Sequence, residues 1–163
     1  MSTLLLMACS GLEPSDTAEP TDTASADGSA IELHVEGTIA GEAYVFDCGL
    51  DATALAYASF PVGAEWFASV SCRLDDGSEW VDVVATDAVV GREYLASDAP
   101  SFNAFRVVVG ADQYDYMEPS AYALTFQAAD VVAGVGVTLS GVFSGTWADA
   151  ELTGTFAAHA PAD

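Results

Sequence analysis

Residues 135–147 read Val135-Gly136-Val137-Thr138-Leu139-Ser140-Gly141-Val142-Phe143-Ser144-Gly145-Thr146-Trp147. Apolar residues and glycines alternate here with small or polar residues, and a period of two indicates a β-strand with one buried face. After a turn at residues 147–150, the same alternation returns. The run therefore predicts an antiparallel hairpin whose inner face holds Val135, Val137, Leu139, Gly141, Phe143, Gly145, Trp147, Leu152, Gly154, Phe156 and Ala158.

Several glycines fall on this inner face, at positions where a side chain would otherwise pack. We expect each glycine either to let a large side chain of the facing sheet pack against backbone or to mark a β-bulge.

Short segments with the same period fill the rest of residues 31–163. Ile31, Leu33 and Val35 begin the alternation, and an Asp-Gly pair at residues 76–77 is a strong hairpin signal. Residues 50–60 are alanine-rich and are compatible with a short helix or a loose strand. About nine or ten strands, with no helix-period segment between them, predict an all-β, antiparallel β-sandwich.

The N-terminal part of the chain has a different composition. Leu6-Met7-Ala8-Cys9 ends a short apolar run, and residues 13–18 and 19–24 repeat a hexapeptide of the pattern Glu-Pro-Ser/Thr-Asp-Thr-Ala. The motif and the segment after it resemble the lipobox and tether of bacterial lipoproteins. The closing hairpin, residues 139–156, is similar to that of small lipoprotein sandwich domains of unknown role. An ordinary hydrophobic N-terminus with a chance cysteine is the alternative.

The resemblance implies three regions: a signal-peptide remnant at residues 1–8, a lipid-anchored tether at 9–30 and the sandwich domain at 31–163. By this resemblance, Cys9 would carry a diacylglyceryl thioether and, after cleavage behind Ala8, an acylated amine. Two or more acyl chains hold a protein stably to a bilayer, whereas one chain holds it only marginally. Ser10 then implies delivery to the outer membrane. No Lys or Arg precedes Cys9, so we expect translation to start upstream.

The tether is low in bulky apolar side chains and is predicted to be disordered, because it cannot bury enough surface to offset its ordering entropy. Its prolines and like charges favour an extended chain of on the order of 60 Å.

The chain is strongly acidic, with 25 Asp and Glu residues against three basic ones, Arg73, Arg92 and Arg106. Its net charge of −22 would repel nucleic acid and anionic lipid headgroups, so we expect no nucleic-acid partner and a membrane attachment only through the N-terminal lipid. The acids would either concentrate cations nearby or only solvate the surface.

The chain has three cysteines. If Cys9 is acylated, Cys48 and Cys72 remain as a pair in an oxidising compartment, and a disulfide between them is expected. The predicted strand at residues 65–74 places Cys72 on its inner face with Trp66, Ala68 and Val70. Two buried free thiols are the alternative.

No motif for a nucleophile, phosphate loop or zinc site is present, and the chain has no lysine. His34 falls on the polar face of the first strand, and His159 is placed in a terminal tail. We therefore predict no enzyme activity, no cofactor and no resident metal.

Two weaker ligand sites are suggested by residue type alone. Asp75, Asp76, Ser78 and Glu79 offer oxygen ligands for a cation in a short loop, without the spacing of an EF-hand. A turn is the simpler interpretation of that loop. Stacking faces for a glycan would come from Trp66, Trp80, Tyr114 and Tyr116.

The predicted function is that of a lipid-anchored cell-envelope protein that displays a binding or structural domain, with a protein or glycan as the ligand. The alternative from a different class is an envelope hydrolase whose site is assembled from residues distant in sequence. A concave face that gathers two carboxylates, or a histidine with a serine, would favour the hydrolase.

Overall fold

The structure is a computed structural model that describes residues 30–49, 52–59, 66–101, 103–132 and 136–161. Cys9 and the proposed signal remnant and tether lie outside the described residues. Within them the chain forms two antiparallel sheets that pack face to face, which confirms the predicted all-β sandwich class. The strands are β1 Ala30–Ile39, β2 Glu42–Asp47, β3 Ala52–Ser59, β4 Phe67–Leu74, β5 Glu79–Thr86, β6 Glu93–Leu95, β7 Ala104–Val109, β8 Asp112–Tyr114, β9 Ala121–Val132, β10 Gly136–Thr146 and β11 Ala150–Pro161.

One sheet has six strands in the order β2-β1-β11-β10-β9-β6, and the other has five in the order β3-β4-β5-β7-β8. The described residues thus hold eleven strands, slightly more than predicted. Within the ambiguous alanine-rich segment, Ala52–Ser59 form strand β3, and each of these residues pairs with β4. A 3-10 helix at Ala96–Ser101, which strand periodicity did not predict, follows the short β6.

The closing hairpin has the predicted parity. Val137, Leu139, Phe143 and Leu152 are buried, whereas the side chain of Val142 faces solvent and is 40% exposed. Burial alternates strictly along β10 and β11, so the inner face that the sequence indicates is the core face of the six-stranded sheet.

The inner-face glycines receive rings from their own sheet, which corrects the expectation that the facing sheet supplies them. Gly141 is paired with Phe156, and Gly154 with Phe143, across the β10–β11 ladder. A Cβ built on Gly154 would lie 2.2 Å from Cζ of Phe143, so only glycine leaves room for the ring. Gly141 also borders a register shift between β9 and β10, as the bulge alternative predicted.

The core is centred on Phe105, which joins the two sheets. Its ring stacks on Tyr122 of β9 and on Phe143 of β10, with 4.3 Å between the ring centroids in each case. The Tyr122 hydroxyl accepts a hydrogen bond from the Phe105 amide at 2.6 Å and donates one to the Phe105 carbonyl at 3.1 Å. A side chain of the six-stranded sheet therefore provides hydrogen-bond partners for the amide and carbonyl of a residue in the five-stranded sheet.

Two further links join the sheets near β2. Cys48, directly after β2, is disulfide-bonded to Cys72 of β4, with 5.9 Å between the Cα atoms, which confirms the predicted pair. The Tyr44 hydroxyl donates a hydrogen bond of 2.9 Å to Oε2 of Glu79. By the loop-entropy account, a bridge across 24 residues contributes about 3–4 kcal/mol.

Candidate functional site

The outer face of the six-stranded sheet carries mostly short side chains. Because parity sends the large residues of β10 and β11 inward, Thr153, Thr155, Val142 and Ser144 face solvent. Two rows cross the sheet at this level. In strand order from β2 to β6, the first holds Asp47, His34, Thr155, Val142, Thr125 and Glu93, and the second holds Val45, Glu36, Thr153, Ser144, Ala123 and Leu95.

The residues of these two rows, apart from Asp47, Val45 and Leu95 on the edge strands, line a cleft of about 350 Å³. Longer side chains, among them Glu36 of β1 and Glu93 of β6, stand on its two sides, and the floor between them holds the hydroxyls of Ser144, Thr153 and Thr155. We call this surface the outer cleft. It has the concave shape that ligand sites commonly have.

His34 is the one histidine among the residues that line the outer cleft. Its Nδ1 lies 2.5 Å from Oδ1 of Asp47, its cross-strand partner, and its Nε2 lies 3.8 Å from Oε2 of Glu36. The hydrogen bond to Asp47 is the main cause that raises the pKa of His34, and the charges of Asp47 and Glu36 act in the same direction, while burial opposes them. The imidazolium form is therefore favoured here more than in a free histidine.

The carboxylates of the outer cleft stand at its two ends. Glu36 and Glu93 lie four strand positions apart, which corresponds to about 19 Å along the sheet. Among the described residues, no arginine lies within 4.0 Å of either carboxylate. The cleft therefore presents two separated carboxylates without an arginine partner, and the ring of His34 lies beside one of them, Glu36.

Three large apolar side chains are also exposed on this face. Val45 at the β2 edge is 62% exposed, Val142 in the centre 40% and Leu95 at the β6 edge 45%. Of the three, only Val142 is among the residues that line the outer cleft, whereas Val45 and Leu95 lie on the two edge strands.

The loop proposed as a cation site has other partners in the structure. Asp76 accepts hydrogen bonds from the amide and hydroxyl of Ser78, and these bonds lower the pKa of its carboxyl. Asp75 accepts a hydrogen bond from Thr53, and Glu79 accepts one from Tyr44. In the part of the chain that the structure describes, no three side chains of the types His, Cys, Asp and Glu gather closely enough to hold a metal ion.

The aromatic residues considered for glycan stacking lie away from the outer cleft. Tyr114 is buried in the core, and Tyr116 is 42% exposed in the loop after β8. Trp80 lies under the guanidinium of Arg106, with 4.1 Å from Cζ to the ring centroid, and Trp66 directly precedes β4 of the five-stranded sheet. The structure does not bring these four rings together in one place.

His159, which the sequence analysis placed in a terminal tail, belongs to strand β11 and contacts the Thr138 hydroxyl at 3.1 Å. That assignment was wrong because the ladder with β10 continues to Pro161.

The sequence analysis did not identify the outer cleft as a site. Its only local signal is the run of threonines and serines at the outward positions of β10 and β11, which is also the usual composition of a solvated strand face. The cleft depends on β1, β6 and β9 lying beside that hairpin, and the order of strands is not readable from period alone.

No helix within the described residues is long and apolar enough to cross a membrane. No family model, no curated protein and no solved structure matches this chain, so the fold and the outer cleft are the findings that bear on its function.

Proposed function

We propose that this chain is a lipid-anchored cell-envelope protein whose β-sandwich serves as a binding module, with the outer cleft as the ligand site. The anchor rests on Leu6-Met7-Ala8-Cys9 and the acidic, proline-containing segment that follows. Delivery to the outer membrane rests on Ser10 and remains part of the proposal.

The observation that carries the binding role is the composition of the outer cleft. A concavity of about 350 Å³ combines the exposed side chain of Val142 with hydroxyls and carboxylates on one face of the sheet. Its floor lies on β10 and β11, whose ladder is continuous from Gly136–Pro161 to Thr146–Glu151. A preformed surface of this kind loses little conformational entropy when a ligand binds.

The arrangement of the polar groups favours binding over catalysis. Both ring nitrogens of His34 face carboxylates, and no described hydroxyl is hydrogen-bonded to them. The strands that carry Glu36 and Glu93 are about 19 Å apart. The nearer carboxylates, those of Glu36 and Asp47, both face the ring of His34 and do not stand free on either side of a substrate as the paired carboxylates of glycoside hydrolysis do.

A hydrolase is the second candidate, because the outer cleft does gather a histidine, a carboxylate partner and hydroxyls. Thr155 is the cross-strand neighbour of His34, and His34 is hydrogen-bonded to Asp47. Activated esters and chromogenic glycosides would test this candidate. Turnover that is lost in both His34→Gln and Asp47→Asn would favour the hydrolase over the binding module.

Binding is tested by blocking the cleft. Ala123→Trp should place a ring in the outer cleft, and Ala104→Trp is the matched control, since Ala104 is a half-buried, outward-facing residue on the other sheet. We expect a set of cationic, acidic and neutral probes to include one that shifts the amide resonances of β10 and β11. Ala123→Trp should abolish those shifts and Ala104→Trp should keep them. If no probe class shifts the cleft resonances, the binding role is wrong.

The anchor is tested separately. With its native upstream region, the wild-type chain should partition into the detergent phase, and Cys9→Ser should move it to the aqueous phase. Cys48→Ser is the matched control, since it removes a cysteine that the structure assigns to a disulfide. Aqueous partitioning of both the wild type and Cys9→Ser would contradict the anchor.

A further inference from the structure

The charge distribution around the outer cleft restricts which ligands it can take. Glu36 and Asp47 stand at the β1–β2 end and Glu93 at the β6 end. The chain has only three basic residues. Arg73 and Arg106 project from the outer face of the opposite sheet, and Arg92 lies against Asp98 at 3.2 Å. The lining residues hold two carboxylates, one histidine and no arginine, so even with His34 protonated the cleft keeps a net negative charge that repels anions and attracts cations.

The apolar groups restrict the ligand further. Val142 lies between the two charged ends, and Val45 and Leu95 flank them. A small inorganic cation would leave these exposed side chains in water. A ligand that covers Val142 must carry an apolar group between its positive charges.

A neutral sugar fits the surface less well. Phe143 is the only aromatic residue among the lining residues described, and it is only 3% exposed, so the cleft offers no open ring on which a sugar could stack.

The length of the surface sets the size of the ligand. About 19 Å separates the two charged ends along the sheet, and an extended peptide of about seven residues has this length between its first and last Cα atoms. Side chains at alternate positions of such a peptide face the same way. Positive groups at its two ends would then lie over the carboxylates, with the apolar groups over Val142.

We infer that the outer cleft binds an extended cationic peptide that carries apolar side chains between its basic ones. This inference rests on the binding role proposed above and specifies the ligand for the same site. The basic groups of the peptide would form exposed ion pairs with the carboxylates at the two ends of the cleft, and its apolar groups would cover the centre. The affinity should therefore be modest and should fall as salt screens the charges.

The probe is a capped peptide of about seven residues, with lysine at both ends, valine at the third and fifth positions and serine elsewhere. Its charge-reversed partner carries glutamate in place of lysine. Calorimetry with the full chain carrying Cys9→Ser should detect binding of the lysine peptide only. The Glu36→Gln/Glu93→Gln double variant should weaken it about fivefold to tenfold, because two exposed ion pairs are lost.

The matched control is Glu42→Gln/Glu118→Gln, which removes the same charge from exposed positions outside the cleft. We expect it to leave the affinity within about twofold, since distant surface charges are largely screened. Equal weakening by both double variants would show nonspecific attraction to an acidic protein and would overturn the inference.

The outcomes also separate this inference from the binding role. If a neutral or acidic probe shifts the β10 and β11 resonances while the lysine peptide does not, the cleft binds ligands but the assigned ligand class is wrong. If no probe shifts them, the binding role itself fails.

Discussion

Phe143 and Val142 are adjacent in the chain but have opposite environments. Phe143 is 3% exposed and stacks on Phe105, whereas Val142 is 40% exposed on the outer face. We expect Phe143→Ala to reduce the free energy of unfolding by about 3–5 kcal/mol. Val142→Thr should change it by about 0.5 kcal/mol or less. Urea melts of the two variants measure both effects, and the reverse order of costs would contradict the register of β10.

His34 gives the molecule a pH-dependent contribution to stability. Its folded-state pKa is raised, so its hydrogen bond with Asp47 stabilises the fold below the unfolded value of about 6.5. That contribution is lost as the pH rises through the folded-state pKa. We expect His34→Gln to be less stable than the wild type near pH 5.5 and nearly equal to it near pH 9, as judged from urea melts.

The size of this pH effect should be small. The His34 side chain is 39% exposed, so solvent screening keeps the difference below about 1 kcal/mol. Asp47→Asn is the control that removes the partner, and it should flatten the pH dependence in the same way. A destabilisation by His34→Gln that is equal at both pH values would show a packing role instead.

The buried side chain of Tyr122 supplies hydrogen bonds to the backbone of Phe105 at a point where no neighbouring strand of the described residues does so. Its hydroxyl bonds both the amide and the carbonyl of Phe105, a residue beyond the short ladder between β7 and β8. Tyr122→Phe should leave those two buried backbone groups without their partner and destabilise the fold by about 1–3 kcal/mol. Tyr116→Phe, at an exposed position, should cost less than about 0.5 kcal/mol in the same urea melts. Equal effects of the two changes would argue against this role.

At the scale of elements, the β10–β11 hairpin depends on glycines that lie under rings. A Cβ on Gly154 would clash with Phe143, whereas a Cβ on Gly49 would meet only a carbonyl oxygen at 3.9 Å. Gly154→Ala should therefore destabilise the protein by about 1–3 kcal/mol, because the ring must leave its well-packed position. Gly49→Ala, the control, should change stability by about 0.5 kcal/mol or less in thermal melts. A neutral Gly154→Ala would contradict the ring-over-backbone packing.

The first hairpin joins β1 to β2 through a turn of two residues. Ala40 and Gly41 join β1 to β2 with φ of 50° and 83°, the left-handed pair that two-residue hairpins favour. This turn brings Asp47 opposite His34 and so fixes one end of the outer cleft.

At the scale of the whole molecule, the net charge of −22 opposes compaction. Adding sodium chloride should raise the midpoint of thermal unfolding by a few degrees, because it screens repulsion between the carboxylates. Most of the rise should occur below about 0.2 M, where the Debye length falls to less than 10 Å. A midpoint that falls over this range, or that rises only at much higher salt, would contradict a dominant role for charge repulsion.

The sequence by itself determined the class of the fold and the faces of its clearest strands. Alternation in residues 136–161 was enough to assign Phe143 to the buried face and Val142 to the exposed face, because successive side chains of a strand point to opposite faces. The disulfide between Cys48 and Cys72 was also predicted, by assigning Cys9 to a lipid on the resemblance to lipoproteins and pairing the two cysteines that remain.

Only the tertiary structure decided which strands lie side by side. His34, Thr155, Val142 and Glu93 are far apart in the chain, yet they form one row because β1, β11, β10, β9 and β6 are neighbours in that order. Period-two alternation fixes the face of a residue but contains no information on the partner of its strand. The outer cleft is formed by residues of neighbouring strands, and for that physical reason it can be recognised only once the order of the strands is known.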